Sequence, residues 1–286
     1  MRSMGDIDIL IKDLDLPKAH EILPPNGFKN TVNSLNHDSF VGKGGIHIEI
    51  HPKLNSDFDD KYDILFENVW GNTYKVNEFE YQLIPEYNLV YLLYHAVKHL
   101  TSSGIGLRTI LDIGLFIEKH KEALDLDKLK ELIDKTQLSL FFRNILWLIE
   151  RCFSLNPLPM FTDSHKPDVE FLNDLISFII KSGVHGYGKD FNSYICGMAA
   201  NAIKKDNVKK GKRTYIIRLF FPKYKSMVST YTYLRKHKWL LPYSWIHRGA
   251  KLLFTKTKRS FKQLNKLKVK NKELDKYTEL YKKLGI

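Results

Sequence analysis

Two short segments of this chain alternate with period two, with isoleucine on one side and acid on the other. In GDIDILIK (5–12), Ile7, Ile9 and Ile11 share one side, and Asp6 and Asp8 share the other. In IHIEIHPKL, Ile46, Ile48 and Ile50 oppose His47, Glu49 and His51. Successive side chains of a strand leave opposite faces, so both segments are expected as strands with one buried apolar face and one acidic face. Pro52 ends the second. Between them, DLPKAHEIL reads as a short helix with Asp15 as its cap and Pro17 in its first turn. PPNG and VGKGG read as turns.

From about residue 85 the period changes to that of a helix. PEYNLVYLLYHAVKHL starts on Pro85 and repeats apolar residues at three-to-four spacing. LRTILDIGLFIEKH, LDKLKELIDKT, LSLFFRNILWLIERCF and residues 166–182 follow as helices, and GVHGYGKD (183–190) as a glycine-rich loop. From about residue 260 the chain reads as a lysine-rich amphipathic helix, with Leu264, Leu267, Leu274, Leu280 and Leu284 towards one side. The expected fold class is α+β, a mixed sheet with flanking helices followed by a mostly helical C-terminal region. The expected divisions are an α/β core over 1–84, a helical region over 85–200 and a basic helical region over 201–286.

Asp6 and Asp8 stand two apart on one strand face, about 7 Å at the Cα level. Carboxylates at that spacing can converge on one cation. Mg2+ takes hard oxygen ligands and keeps water and phosphate in its remaining positions. A neighbouring strand lies about 4.8 Å away. Glu49, on the other early strand with an acid opposite isoleucines, is the candidate third carboxylate. Cations held this way can stabilise both the attacking and the leaving oxygen of an in-line displacement. The plainer reading is an edge strand with solvated acids. A His47–Glu49–His51 metal site is a further reading, set against histidines that merely flank the acid.

R-x-MGDIDILI, IHIEIH, PEYNLVYLLYHAVKH, GLRTILDIGLFI and LLPYSWIHR recur in this order between about residues 2 and 255. Together they resemble a bacterial family of uncharacterised nucleotidyltransferases in the polymerase-beta-like superfamily. The resemblance implies transfer of a nucleoside monophosphate from an NTP to an acceptor hydroxyl, with Mg2+ or Mn2+ as cofactor. Asp6 and Asp8 would be the paired metal ligands, and Glu49 the third carboxylate, as general base or second-metal ligand. Arg2 matches the basic position before the acidic pair. His47, His95, His99 and Arg108 are the expected substrate contacts. His95 and His99 stand at i, i+4, without the glutamate of a metalloprotease helix, so nucleotide or acceptor contact is expected there rather than zinc. Arg108 suits bidentate phosphate contact; an ion pair with Asp112, four residues on, is its structural alternative. Superfamily members place a Gly-Ser or Gly-Gly turn upstream of the paired acids, and MRSMG leaves no room for one. The expectation is therefore an N-terminally truncated core. The rival expectation is a catalytically inactive relative that serves as a binding module.

Charge divides the chain. Residues 201–286 carry 25 Lys and Arg against 4 Asp and Glu, whereas 1–200 carry 20 against 28. The basic aromatic stretch FPKYKSMVSTYTYLRKHKWLLPYSWIHRGAKLLF suits stacking and phosphate contact with nucleic acid. It equally suits an anionic membrane surface, given Trp239 and Trp245 among cations. A packed helical subdomain with a lysine-rich exterior explains the same letters. No apolar run reaches the ~20 residues of a membrane span, the start lacks a secretory h-region, and two cysteines make no disulfide framework. A cytoplasmic setting is expected.

Overall fold

The computed structural model describes all residues except 1–5, 34–36, 55–61, 156–157, 159–160, 162–165, 184–187, 189–190, 229 and 256–263. In chain order the main elements are β1 (Asp6–Leu10), α1 (Leu16–Ile22), β2 (Lys29–Asn33), β3 (Asp38–Val41), β4 (His47–His51), α2 (Asp63–Phe66), β5 (Thr73–Lys75), β6 (Tyr81–Leu83), α3 (Pro85–Leu100), α4 (Leu107–His120), α5 (Leu126–Lys135), α6 (Ser139–Phe153), α7 (Val169–Ser182), α8 (Tyr194–Lys204), α9 (Val208–Phe220), α10 (Tyr224–Val228), α11 (Leu241–Thr255) and α12 (Asn271–Leu284). The fold is α+β, with a mixed sheet first and a helical region after it. The chain separates into two units, one of residues 1–69 and 221–250, the other of residues 70–220 and 251–286.

In the first unit the four strands lie in the order β1-β4-β3-β2. β1 runs parallel to β4, while β4–β3 and β3–β2 are antiparallel. The two alternating segments are therefore strand neighbours. Their shared apolar face forms a core of Phe40, Ile48 and Ile50, against which Ile7, Ile11, Leu16, Ala19, Leu23 and Phe28 pack. Ile9 was expected on this buried face but is 38% exposed. β1 is an edge strand, and α1 contributes Leu16 and Ala19 to the cluster but covers only part of its length. Sequence reading also left out β2 and β3, whose polar letters KNTVN and DSFV carry no alternating apolar signal. The expected turns are present, with Gly27, Gly44 and Gly45 all at positive φ, where a side chain would be strained. Asp38 is buried, and the His20 ring N–H donates to it at 2.6 Å. That bond ties α1 to β3 and compensates a carboxylate that is costly to bury alone.

The second unit is helical, with a small antiparallel β5–β6 ribbon. Its helices bury one face each: Leu89, Val90, Leu93, Tyr94 and Val97 on α3, and Phe141, Phe142, Ile145, Leu148 and Ile149 on α6. Asp125 caps α5 by accepting from Lys128 N–H, and Asp168 caps α7 by accepting from Glu170 and Phe171 N–H. α8 and α9 approach so closely that a Cβ on Gly211 would come within 2.3 Å of the Ala202 Cα. The lysine-rich C-terminal helix begins later than expected, at Asn271, and Leu264 is 41% exposed. Residues 264–266 are helical, but the helix breaks over 267–270 before α12, and carbonyls at the break serve other partners. Asn192 donates to Lys266 O at 2.7 Å, and Lys212 donates to Val269 O at 2.5 Å.

Around α12 several ionisable groups are buried. Burial pushes the Cys196 thiol up to about 12 and the Tyr215 hydroxyl up to about 12, from ordinary values of 9.0 and 10.0. Tyr277 and Tyr281 move in the same direction for the same reason. Groups held protonated in the fold contribute stability that is full below their unfolded values and fades as pH rises towards the folded ones. The urea midpoint is therefore expected to hold steady through neutral pH and to fall from about pH 9 upward. A midpoint unchanged well above that value would contradict the burial of these groups.

Candidate metal centre

The parallel register of β1 and β4 pairs Asp6 with His47, Asp8 with Glu49, and Leu10 with His51. Isoleucines fill the opposite face of both strands, so the pleat directs Asp8, Glu49 and His51 together to the other side. Their possible ligand atoms all lie within 4.8 Å of one another. The His51 Nε2–H donates to Asp8 Oδ1 at 2.9 Å and lies 3.5 Å from Glu49 Oε2. His37 Nε2 is 3.7 Å from Glu49 Oε1, and the His37 and His51 rings are 5.2 Å apart. Side-chain exposure runs from 52% for Asp8 through 26% for Glu49 to 19% for His51. The group is thus open on the β1 side and sheltered on the β4 side.

Two carboxylates this close repel each other unless positive charge stands nearby. One imidazole nitrogen faces both of them here. A divalent cation would neutralise the pair, and two carboxylates suit Mg2+ or Mn2+. The His51 N–H is already given to Asp8, so the atoms offered to an ion are carboxylate oxygens. The chemistry of the donors therefore fits a small divalent ion.

Of the residues expected from sequence, Asp8 and Glu49 come together. Asp6 lies on the same face two residues earlier, is exposed, and does not belong to the 4.8 Å group. His47 is exposed opposite Asp6. Arg2 and most of the glycine-rich loop lie outside the described residues. His95, His99 and Arg108 belong to the second unit. His95 and His99 form a half-buried pair on α3, Nε2 to Nε2 at 3.1 Å, with Tyr91 stacked on His95. One ring donates and the other accepts, so the two rings hold different proton arrangements. Arg108 is in the first turn of α4.

Sequence reading missed His37, and it offered His51 both as a ligand beside Glu49 and as a residue that merely flanks it. His37 precedes β3, whose antiparallel register pairs Asp38 with Ile50. The next step along that ladder brings His37 level with His51. Without β3 there was no basis for placing His37 near the acids.

A model of the family described as uncharacterised nucleotidyltransferases matches residues 1–154, more than half of the chain. The chain belongs to this family. The matched stretch contains the whole four-stranded sheet of this family member and the helices through α6. No curated protein and no solved structure matches it.

Proposed function

We propose that this family member transfers a nucleoside monophosphate from an NTP to an acceptor hydroxyl. Asp8 and Glu49 would hold Mg2+ or Mn2+, with Asp6 as a further carboxylate on the same face. The observation that carries this reading is the pairing of Asp8 with Glu49 across a parallel register, on the face opposite the isoleucine core. In the reaction the acceptor oxygen bonds to the α-phosphorus, the α–β bridging P–O bond breaks, and pyrophosphate leaves with that electron pair. Glu49 takes the proton of the acceptor hydroxyl. His51 orients the Asp8 carboxylate through its 2.9 Å hydrogen bond. A bound divalent ion would supply neutralisation of phosphate charge.

The test is calorimetric titration of the four NTPs, each with Mg2+ and with Mn2+, into the intact chain and into an Asp6→Asn/Asp8→Asn variant. Metal-dependent binding that the variant loses is the expected result. If the folded, intact chain binds none of the four, the transferase reading fails.

A further inference from the structure

The helical stretch that begins at Lys238 has two apolar faces, and only one of them is packed. The short 3-10 turn Lys238–Leu240 runs directly into α11, with Leu241 already helical. Leu240, Leu241 and Trp245 pack on a small cluster of Met227, Val228, Tyr231 and Leu234, and Trp245 donates to Pro222 O at 3.0 Å. Ser244, on the same side, is fully buried. On the opposite side Trp239 is 75% exposed, Tyr243 55% and Ile246 71%. Their spacing, i, i+4 and i+7, puts the three within one narrow arc of the helix. The inner face supplies the buried packing of this segment. Of the outer three, Tyr243 touches the Tyr233 and His247 rings and Trp239 the His237 ring at their edges, and all three keep most of their surface open. Scattered exposed apolar residues are ordinary on a protein surface, whereas three large ones in one arc mark a contact surface.

The surroundings define the partner. Arg235, Lys236 and Lys238 are exposed immediately before the arc. Within the same unit, residues 221–250 carry six Lys and Arg and no Asp or Glu. A surface of this charge is complementary to an anionic one. Ile246 separates the two anionic partners that such a surface fits. An aliphatic side chain offers no ring for a nucleic-acid base to stack on, whereas the boundary of an acyl layer accepts Ile as readily as Trp and Tyr. α11 has 15 residues, about 22 Å of helix at 1.5 Å per residue, too short to cross the hydrocarbon core. No helix among the described residues is long and apolar enough to cross a membrane.

We propose that the Trp239–Tyr243–Ile246 arc docks on an anionic lipid surface, lying in the interface with Arg235, Lys236 and Lys238 at the level of the headgroups. The proposal stands independently of the transferase reading. It is tested by flotation of the full chain with two kinds of vesicle, one of phosphatidylcholine alone and one in which about a third of the lipid is phosphatidylserine. The expected result is association with the second kind only, weakening as salt rises. In Trp239→Ala/Ile246→Ala the partition coefficient falls about tenfold or more, because two interfacial anchors are gone. In Lys236→Glu/Lys238→Glu it falls at least as far, since each cation near such a surface accounts for about fivefold. All four positions are exposed, so both variants keep the circular dichroism of the parent. Failure of the parent to float at low salt overturns the proposal. So does association that Trp239→Ala/Ile246→Ala leaves intact, which would show charge adhesion without insertion. Binding of single-stranded RNA that Trp239→Ala weakens, in a chain that ignores vesicles, would assign the arc to nucleic acid instead.

Discussion

Asp8→Ala is expected to weaken Mn2+ binding by about a hundredfold, read as free Mn2+ by electron paramagnetic resonance. Asp8 supplies one of the two carboxylates in the group and is also the acceptor for His51. Its loss removes a hard ligand and releases the imidazole that stands beside Glu49. Glu49→Ala should act to a similar degree, because it leaves a single carboxylate and one imidazole. Asp6→Ala should cost about tenfold or less, since Asp6 is exposed and outside the 4.8 Å group. Asp8 faces away from the isoleucine core and is half exposed, so the sheet should survive each change with unaltered circular dichroism. Mn2+ held as tightly by Asp8→Ala as by the parent would remove Asp8 and Glu49 as the centre.

The largest expected loss of stability comes from the other end of the chain. Tyr281 is completely buried on α12, and its hydroxyl donates to Leu100 O at 2.5 Å, at the end of α3. Its ring meets Phe178 of α7 edge to face at 6.1 Å, and its hydroxyl also reaches Cys196 of α8. One side chain thus ties together four helices from distant parts of the sequence. Tyr281→Ala should cost about 3–5 kcal/mol, the usual range for emptying a buried aromatic site. In thermal unfolding that is a drop of roughly 10 °C for a unit of this size. Tyr281→Phe keeps the ring and leaves the Leu100 carbonyl short of a donor, at about 1–2 kcal/mol. A Tyr281→Ala melting curve that overlays the parent would show that α12 is not part of the core. Asn144 supports α12 from a second side, donating to Lys283 O at 3.0 Å and to Leu284 O at 3.3 Å.

Much of this could be read from letters alone where the signal was local. Pro85 opening α3 and the glycines of PPNG and VGKGG marked their boundaries through backbone geometry that acts within a few residues. β2 and β3 were not visible, since neither KNTVN nor DSFV shows an apolar alternation and their pairing is with segments outside any local window. β5 and β6 were missed for the same reason, at three residues each. The C-terminal helix was drawn as one continuous element because its leucine spacing continues upstream across the break at residues 267–270, where Lys212 takes the Val269 carbonyl. Trp239 and Trp245 looked alike as two tryptophans in a basic run. Their fates differ because Trp245, on α11, packs on Met227 and its neighbours, while Trp239, in the 3-10 turn before α11, stays exposed.

The sequence by itself determined which way each acid points. Covalent geometry alternates Cβ atoms along a strand, so Asp6, Asp8 and Glu49 had to leave the face opposite Ile7, Ile48 and Ile50 once those isoleucines were buried. It also determined the charge of residues 221–250, which no fold can change. Only the tertiary structure decided which acids meet. The β2–β3 hairpin lies between β1 and β4 in sequence and leaves them adjacent and parallel in space, and the resulting register sets Asp8, not Asp6, opposite Glu49. The same sheet brings His37, just before β3, and His51, on β4, to that pair. Strand pairing is a contest among distant segments for backbone hydrogen bonds and buried apolar area, and no local pattern records its outcome.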